Sequence, residues 1–361
     1  MRIAVVASLV TPLRESQAGG AQSFLCDLAE ALSERGHEVT VYCAAGSHMP
    51  RLRLVTVSPP RHVDRALVQP AREPPPVLPA LRDAFARLFD AVREGDHDVV
   101  SLHAFDAEAV ELAAGLPVLH TLHLPPIVPA VVHAVRNSEA QFVTVSEAMR
   151  RAWELPRLGV IRNGVPAFEL TETAVVRRAL IVGRVSPEKG TANALRLARR
   201  AGLTPLLVGT VYDREYWAQE VGLPVSSVER RQLWRLMAGS AVTVMPVQGE
   251  ESFGLVAAES QMAGCPVVAY RRGGLPEVVE EEVGGFLVEP DDEDAFVAKI
   301  SSALALDRAR TRESALRRLD IAKSAAAYEK VLSALQIKLP NSRSKHSASP
   351  HPSTSMIRPG S

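Results

Sequence analysis

Short apolar runs alternate with amphipathic stretches along most of the chain. Residues 2–8 (RIAVVAS) read as a buried strand, residues 21–35 as an amphipathic helix closed by Gly36, and residues 38–43 as a second strand. A Pro-rich stretch from Pro59 to Pro79 interrupts this βαβ opening, and a helix with Leu81, Phe85, Leu88, Phe89 and Val92 on one face resumes it. Strand-like runs follow at 98–102, 117–122 and 142–145, and the pattern then restarts with RALIVGR, TPLLVGT, AVTVMP, CPVVAY and GFLVEP. Buried-type strands separated by helices predict parallel sheets covered on both faces. The expected class is α/β, with two doubly wound Rossmann-like domains and a linker near residues 166–176. Residues 311–336 read as helical, whereas residues 338–361, rich in Ser, Pro and His, carry no apolar periodicity and are expected to be disordered.

Length agrees with this organisation, since 361 residues suit two domains that each bury a full core. The formal net charge is zero, so no broad basic surface for nucleic acid is indicated. Cys26, Cys43 and Cys265 each sit in an apolar segment without CxxC spacing and are expected as buried free thiols. The chain enters a strand directly, with no signal-type apolar region and no run of 18 apolar residues, so a cytoplasmic, non-spanning protein is expected. Peripheral contact with a membrane stays open, as does the oligomeric state.

Chemistry concentrates in ESFGLVAAE, residues 251–259, between the strand-like runs AVTVMP and GCPVVAY. Eight helical steps of about 100° would leave Glu251 and Glu259 some 80° apart, so Glu251 is placed on a loop and the helix is opened near Gly254. The loop carries Phe253, and the N–H groups of Gly254, Leu255 and Val256 then face outward, an anion site suited to a diphosphate. Glu259, about one turn in, is positioned to accept hydrogen bonds from ribose hydroxyls, and Glu251 from hydroxyls of a sugar. Taken alone, such a pair is more often two solvated helix charges.

GRVSPEKG, residues 183–190, follows the first strand of the second half, at the sheet edge where open parallel sheets bind ligands. Arg184 offers a planar fork to phosphate oxygens and Lys189 a compact ammonium. A salt-bridged turn, with Glu188 pairing one of them, is the plainer reading. In the first half, a long loop from Leu9 closes with Gly19 and Gly20 just before a helix, a weak phosphate-approach signal by itself. His120 and His123, in a strand-like segment, point to opposite faces and do not form a metal pair. The DxD strings in GDHDV and DDED read as a strand start and a helix cap, so no metal site is expected.

Residues 246–290, with EESFGLVAAESQMAGCPVVAYRRGGLPEVVEEEVGGFLVEP, strongly resemble the donor-binding core of family 4 glycosyltransferases, which are retaining enzymes of GT-B architecture. LIVGRVSPEKG, VIRNGVP, VTVSEAMR and AGGAQSFLCDLAEALSERGHEV resemble the same family, so the likeness covers most of residues 1–335. The resemblance implies an acceptor-side domain over 1–166, a nucleotide-sugar domain over 167–315, and a last helix over 316–337 that crosses back onto the first domain. It matches Arg184 and Lys189 to the phosphate-binding pair, sets Gly19 and Gly20 across the cleft from the donor diphosphate, and maps the sugar-contacting active-site histidine onto His123. In DVVSLH, Ser101 replaces the first of two usual histidines and His103 keeps the second, leaving a structural or a functional role equally open for His103.

The expected reaction is transfer of a sugar from a nucleotide-diphosphate sugar to an acceptor hydroxyl or amine on a small molecule, saccharide or lipid, with retention at the anomeric carbon. Arg184, Lys189 and the helix start at Gly254 would stabilise the charge on the leaving phosphate, so neither metal nor cofactor is called for. The chain departs from the family pattern between DREYW at 213–217 and QLWRLM at 232–237, a region that often borders the base. Tyr212 and Trp217 there are expected to pack rather than to stack a base, and the donor base and sugar stay unread. An epimerase, a sugar phosphorylase or a non-catalytic binding protein of the same architecture are the alternatives; the first two would need cleft acid/base carboxylates or a cofactor lysine that the sequence does not identify.

Overall fold

The computed structural model describes residues 1–14, 20–63, 79–169 and 173–337. Gly19, most of the Pro-rich stretch and the Ser/Pro/His-rich tail lie outside them. Every strand pair is parallel.

The first sheet has seven strands: β1 (Arg2–Val6), β2 (Glu38–Ala44), β3 (Arg53–Val57), β4 (Val99–Leu102), β5 (Val118–Leu122), β6 (Gln141–Thr144) and β7 (Gly159–Val160). Their order is β3-β2-β1-β4-β5-β6-β7, with Ile3 opposite both Val39 and Val99. Helices α1 (Gly20–Glu34), α2 (Pro79–Glu94), α3 (Ala107–Leu112), α4 (Pro129–Arg136) and α5 (Glu147–Trp153) join them. The period-2 geometry of a strand sends Ile3 and Val5 to the face packed with Phe24, Leu28 and Leu32 of α1, and Ala4 and Val6 to the face packed with Phe85, Leu88 and Phe89 of α2. Strands β3 and β7 were not anticipated: β3 is partly exposed at the sheet edge, and β7 is two residues long.

The second sheet has five strands in the order β12-β11-β10-β8-β9. Its elements run β8 (Val176–Val185), α6 (Thr191–Arg200), β9 (Thr204–Val211), α7 (Arg214–Tyr216), α8 (Arg230–Ala238), β10 (Ser240–Met245), α9 (Leu255–Met262), β11 (Val267–Tyr270), α10 (Leu275–Val278), β12 (Gly285–Val288) and α11 (Glu293–Ala303). The five apolar runs of the second half are these five strands. Because β8 opens the sheet and lies between β10 and β9, the strand order reverses at the β8/β10 boundary, which is where an open α/β sheet leaves a crevice beyond its strand ends.

The helical stretch expected over 311–336 is two helices, α12 (Arg308–Leu319) and α13 (Ile321–Ile337). The break falls at Asp320, which is extended (φ −65°, ψ 134°) because Val165 takes it as a strand partner: Val165 N–H donates to Leu319 O at 2.8 Å and Ile321 N–H to Val165 O at 3.0 Å. Beyond the break, Ile321, Ala325, Tyr328 and Leu332 join the α1 side of the first sheet. One apolar cluster is common to both halves, with Val131, Met149 and Trp153 packed together with Met245, Phe253, Leu275 and Leu287. Cys26, Cys43 and Cys265 are buried and free. Among the described residues no helix is long and apolar enough to cross a membrane.

Candidate active site

The loops after β8 and β10 meet at the strand-order reversal and are bonded to each other. Glu188 O accepts the N–H groups of Gln248 at 2.9 Å and Gly249 at 3.0 Å. Lys189 Nζ donates to Glu251 Oε2 at 2.6 Å. Two sequence motifs separated by about sixty residues are thus one structure. Arg184 completes the cluster, 3.5 Å from Glu188 Oε1 and 5.0 Å above the Tyr212 ring. The plainer reading of Arg184 as half of a salt bridge therefore holds as geometry. It does not remove a ligand role, because the Arg184 side chain is 36% exposed and makes no hydrogen bond to the buried Glu188 Oε1, which leaves its donors available to an anion.

Gly254 caps α9 with φ +100°, and α9 begins at Leu255. The first-turn N–H groups at Gly254, Leu255 and Val256 have no intrahelical acceptor, so the helix start presents donors at the β10 strand end. The loop before it is clamped from behind. Gly274 N–H donates to Glu251 O at 2.7 Å, and a Cβ on Gly273 would lie 2.1 Å from the same oxygen. Only a residue without a side chain allows that approach at φ +53°. Phe253 is buried in the cluster common to both halves, which leaves its backbone alone to meet a ligand.

Glu259 lies within α9 as expected, but it is buried and engaged. Its Oε1 accepts from Arg230 Nε at 2.7 Å and from Trp234 Nε1 at 3.3 Å. Arg230 Nη1 donates in turn to Asp27 Oδ1 at 2.7 Å. Burial pushes the Asp27 carboxyl up, opposed by the adjacent guanidinium. None of Asp27, Arg230 and Trp234 was legible as a site residue: ERRQLWRLM reads as an ordinary charged helix, and Asp27 as a polar position of an amphipathic one.

On the facing sheet, His123 follows β5 and His103 follows β4, and the two rings are joined Nδ1 of His103 to Nε2 of His123 at 2.9 Å. Ser101 Oγ, replacing the histidine of the family pattern, lies 2.9 Å from His103 Nε2. His103 is therefore hydrogen-bonded to the active-site candidate rather than separate from it. Burial, with His120 nearby, drives the His123 pKa down to about 3, and burial with both neighbouring histidines drives His103 well below its ordinary value. These imidazoles are neutral. His120 points elsewhere, to Ala104 O at 2.8 Å. Gly20 opens α1, while Gly19 lies outside the described residues.

Ser146 is a further residue missed from the sequence. As N-cap of α5 it accepts the Met149 N–H at 3.1 Å, and its hydroxyl donates to Ser252 O at 2.6 Å, joining the first half to the loop that carries Glu251. The capping pattern in VTVSEAMR was visible, but the tertiary partner was not. Glu277 also bridges the halves, accepting from Ala148 N at 3.2 Å and Arg162 Nε at 3.0 Å. Trp217 packs, its indole N–H donating to Leu223 O at 2.9 Å. The acidic strings are structural: Asp96 and Asp98 pair with Arg2, and Asp292 caps α11. Among the described residues no group of three or more His, Cys, Asp or Glu converges to hold a metal ion.

Two family models match the chain: "Glycosyltransferase Family 4" over residues 18–167 and "Glycosyl transferases group 1" over residues 176–318. The chain is 27% identical to a phosphatidyl-myo-inositol mannosyltransferase of Mycolicibacterium smegmatis, over 84% of this chain and 85% of that one. It is 29% identical to a D-inositol 3-phosphate glycosyltransferase of Xylanimonas cellulosilytica, over 87% of this chain and 91% of that one. Among solved structures, AviGT4, a glycosyltransferase involved in avilamycin A biosynthesis, matches with a TM-score of 0.69 at 22% identity, covering 94% of this chain and 99% of that one. Anabaena HepE in complex with UDP and glucose matches with a TM-score of 0.71 at 19% identity, covering 92% and 100%. These likenesses establish the GT-B fold.

Proposed function

We propose that this chain, which belongs to glycosyltransferase family 4, transfers a sugar from a nucleoside diphosphate to an acceptor hydroxyl or amine, with retention at the anomeric carbon and without a metal. The observation that carries the donor reading is the joining of the β8 and β10 loops, which gathers Arg184, Lys189, Glu251 and the start of α9 at one strand-order reversal. Two cations and a helix N-terminus suit the two phosphates of a nucleoside diphosphate in charge and in donor geometry.

As the C1–oxygen bond to the diphosphate breaks, negative charge grows on the β-phosphate oxygen. Arg184, Lys189 and the α9 N–H groups stabilise it there. The acceptor oxygen bonds C1 from the same face, and its proton passes to the departing phosphate oxygen, so no side chain needs to act as nucleophile. Lys189 exchanges its Glu251 partner for phosphate, which frees Glu251 to orient sugar hydroxyls. His123 meets the sugar from the facing sheet as a neutral imidazole whose orientation is set by His103 and Ser101. Relatives named for inositol 3-phosphate and phosphatidyl-myo-inositol make an inositol phosphate headgroup the first acceptor to assay.

The test is transfer from UDP-, GDP- and ADP-linked hexoses to inositol phosphates and to water, with the anomeric configuration of the product read by proton NMR. An inverted product removes the front-face route. Failure of UDP, GDP and ADP all to bind removes the donor reading itself.

A further inference from the structure

Asp27, Arg230 and Glu259 come from three helices of two sheets and meet in a buried contact. Asp27 is on α1 of the first sheet, about two turns beyond Gly20; Arg230 opens α8 and Glu259 lies in α9, both of the second. The Arg230 side chain is only 4% exposed and shares one guanidinium between two carboxylates. Two atoms of the triad are buried without a partner among the described residues, Arg230 Nη2 and Asp27 Oδ2. The triad also rests on the connection between the halves. Arg230 lies 4.9 Å from the Trp234 ring centroid, and Trp234 stacks at 4.0 Å on Phe168, within the segment expected as the linker.

Such a triad is a poor device for stability alone. Two buried carboxylates against one guanidinium leave a net negative charge in a low-dielectric setting, and the desolvation of ion pairs of this kind commonly cancels their attraction. What it does supply is direction. Arg230 Nε and Trp234 Nε1 both take Oε1 of Glu259, so the carboxylate plane is held and Oε2 is left for a ligand.

We propose that Arg230 is a positioning residue that couples ribose recognition to closure of the two halves. Held by Arg230, Glu259 accepts the ribose hydroxyls of the donor through Oε2. Those hydrogen bonds spread the charge of Glu259, so that Arg230 is drawn less to it and more to Asp27 of the first half, with which it is already in contact. Nucleotide binding and closure thereby strengthen each other, as linkage requires of two events that share one contact. This inference rests on the donor reading above and deepens it.

The experiment is calorimetric titration of UDP, GDP and ADP, each with its 2′-deoxy counterpart, into the full chain, with X-ray scattering recorded with and without nucleotide. Wild type is expected to favour the ribonucleotide by about tenfold, the discrimination that one charged acceptor for a hydroxyl provides, and to contract on binding. Arg230→Gln should retain diphosphate binding but lose most of that preference and the contraction. Asp27→Asn should lose the contraction and, because the coupling is reciprocal, part of the preference, while the direct Glu259 contribution remains. Because Arg230→Gln leaves two buried carboxylates uncompensated, Arg230→Lys serves as the second variant; its single ammonium cannot serve both partners, and the preference should fall there too. Cooperative thermal unfolding is checked for each. If the variants fold, bind diphosphate and discriminate ribose as wild type does, the positioning role is overturned while the donor site stands. If wild type binds none of the diphosphates, the donor reading and this one fall together.

Discussion

Lys189 and Glu251 are salt-bridged, Nζ to Oε2 at 2.6 Å, across the two loops that end β8 and β10. The contact joins a cation suited to phosphate to a carboxylate suited to sugar hydroxyls. A donor that spans both would break the pair and take each half, so the bridge holds the two groups in register before binding.

Arg184→Ala should weaken nucleoside diphosphate binding by about 1–3 kcal/mol, the usual loss for a charge-assisted contact. Lys189→Ala should fall near the lower end of that range, because wild-type Lys189 must first give up Glu251. Calorimetry on folded variants checks both. Unchanged affinity in the pair removes the phosphate assignment.

Glu251→Gln should cut turnover while nucleoside diphosphate affinity stays constant or tightens a few-fold, since the substitution frees Lys189 as it removes the sugar-facing carboxylate. Glu259→Gln should weaken the nucleotide itself. The opposite pattern, with nucleotide affinity lost only in the first variant, means the two roles are exchanged.

Transfer should persist in excess chelator. On the proposed reading, Arg184, Lys189 and the α9 terminus would supply the positive charge that a divalent ion supplies elsewhere. Activity abolished by chelator and restored by manganese or magnesium contradicts this electrostatic reading.

Acidification should destabilise the first half at the histidine cluster of β4 and β5, in the interior of its sheet. Burial lowers His120 to about 4 and His123 to about 3, while an unfolded histidine titrates near 6.5. The unfolded chain therefore binds protons that the folded one refuses, so their stabilising contribution is complete above about pH 6.5 and is lost as pH falls through about 4 to 3. Asp106, pushed up to about 7 by burial, acts in the opposite sense, its contribution being present at low pH and lost as pH rises through that value. The three buried histidines, His103, His120 and His123, outweigh Asp106 and Asp27, whose carboxyls burial pushes up. Urea midpoints measured from about pH 7.5 to about pH 4.5 should fall; a flat or rising series contradicts the burial of neutral imidazoles.

Gly254→Ala should cost about 1–3 kcal/mol of stability, as a non-glycine residue held at positive φ does. The backbone sits at φ +100°, and the added Cβ would come 2.8 Å from Leu275 Cδ2. Chemical denaturation measures the loss. A variant as stable as wild type shows that the loop has another conformation open to it.

The alternating apolar runs determined the two parallel sheets, because a strand covered by helices on both faces must be apolar throughout, and each of RALIVGR, TPLLVGT, AVTVMP, CPVVAY and GFLVEP became a strand. The start of α9 was legible too, since carboxylates eight positions apart would stand some 80° apart on one helix and a glycine marks where the backbone turns. Residues whose role depends on a partner far along the chain were not legible. Asp27 and Arg230 are 203 positions apart, and Ser146 and Ser252 are 106 apart. Nothing local distinguishes Arg230 from the arginine beside it. Periodicity and capping are set by neighbours within a turn or a strand pair, and the sequence alone determined those. Which charged side chain is taken out of water, and against which carboxylate, is decided only when two sheets close on each other, because the cost of desolvating a charge is met by partners that the fold, and not the local sequence, brings within hydrogen-bonding distance.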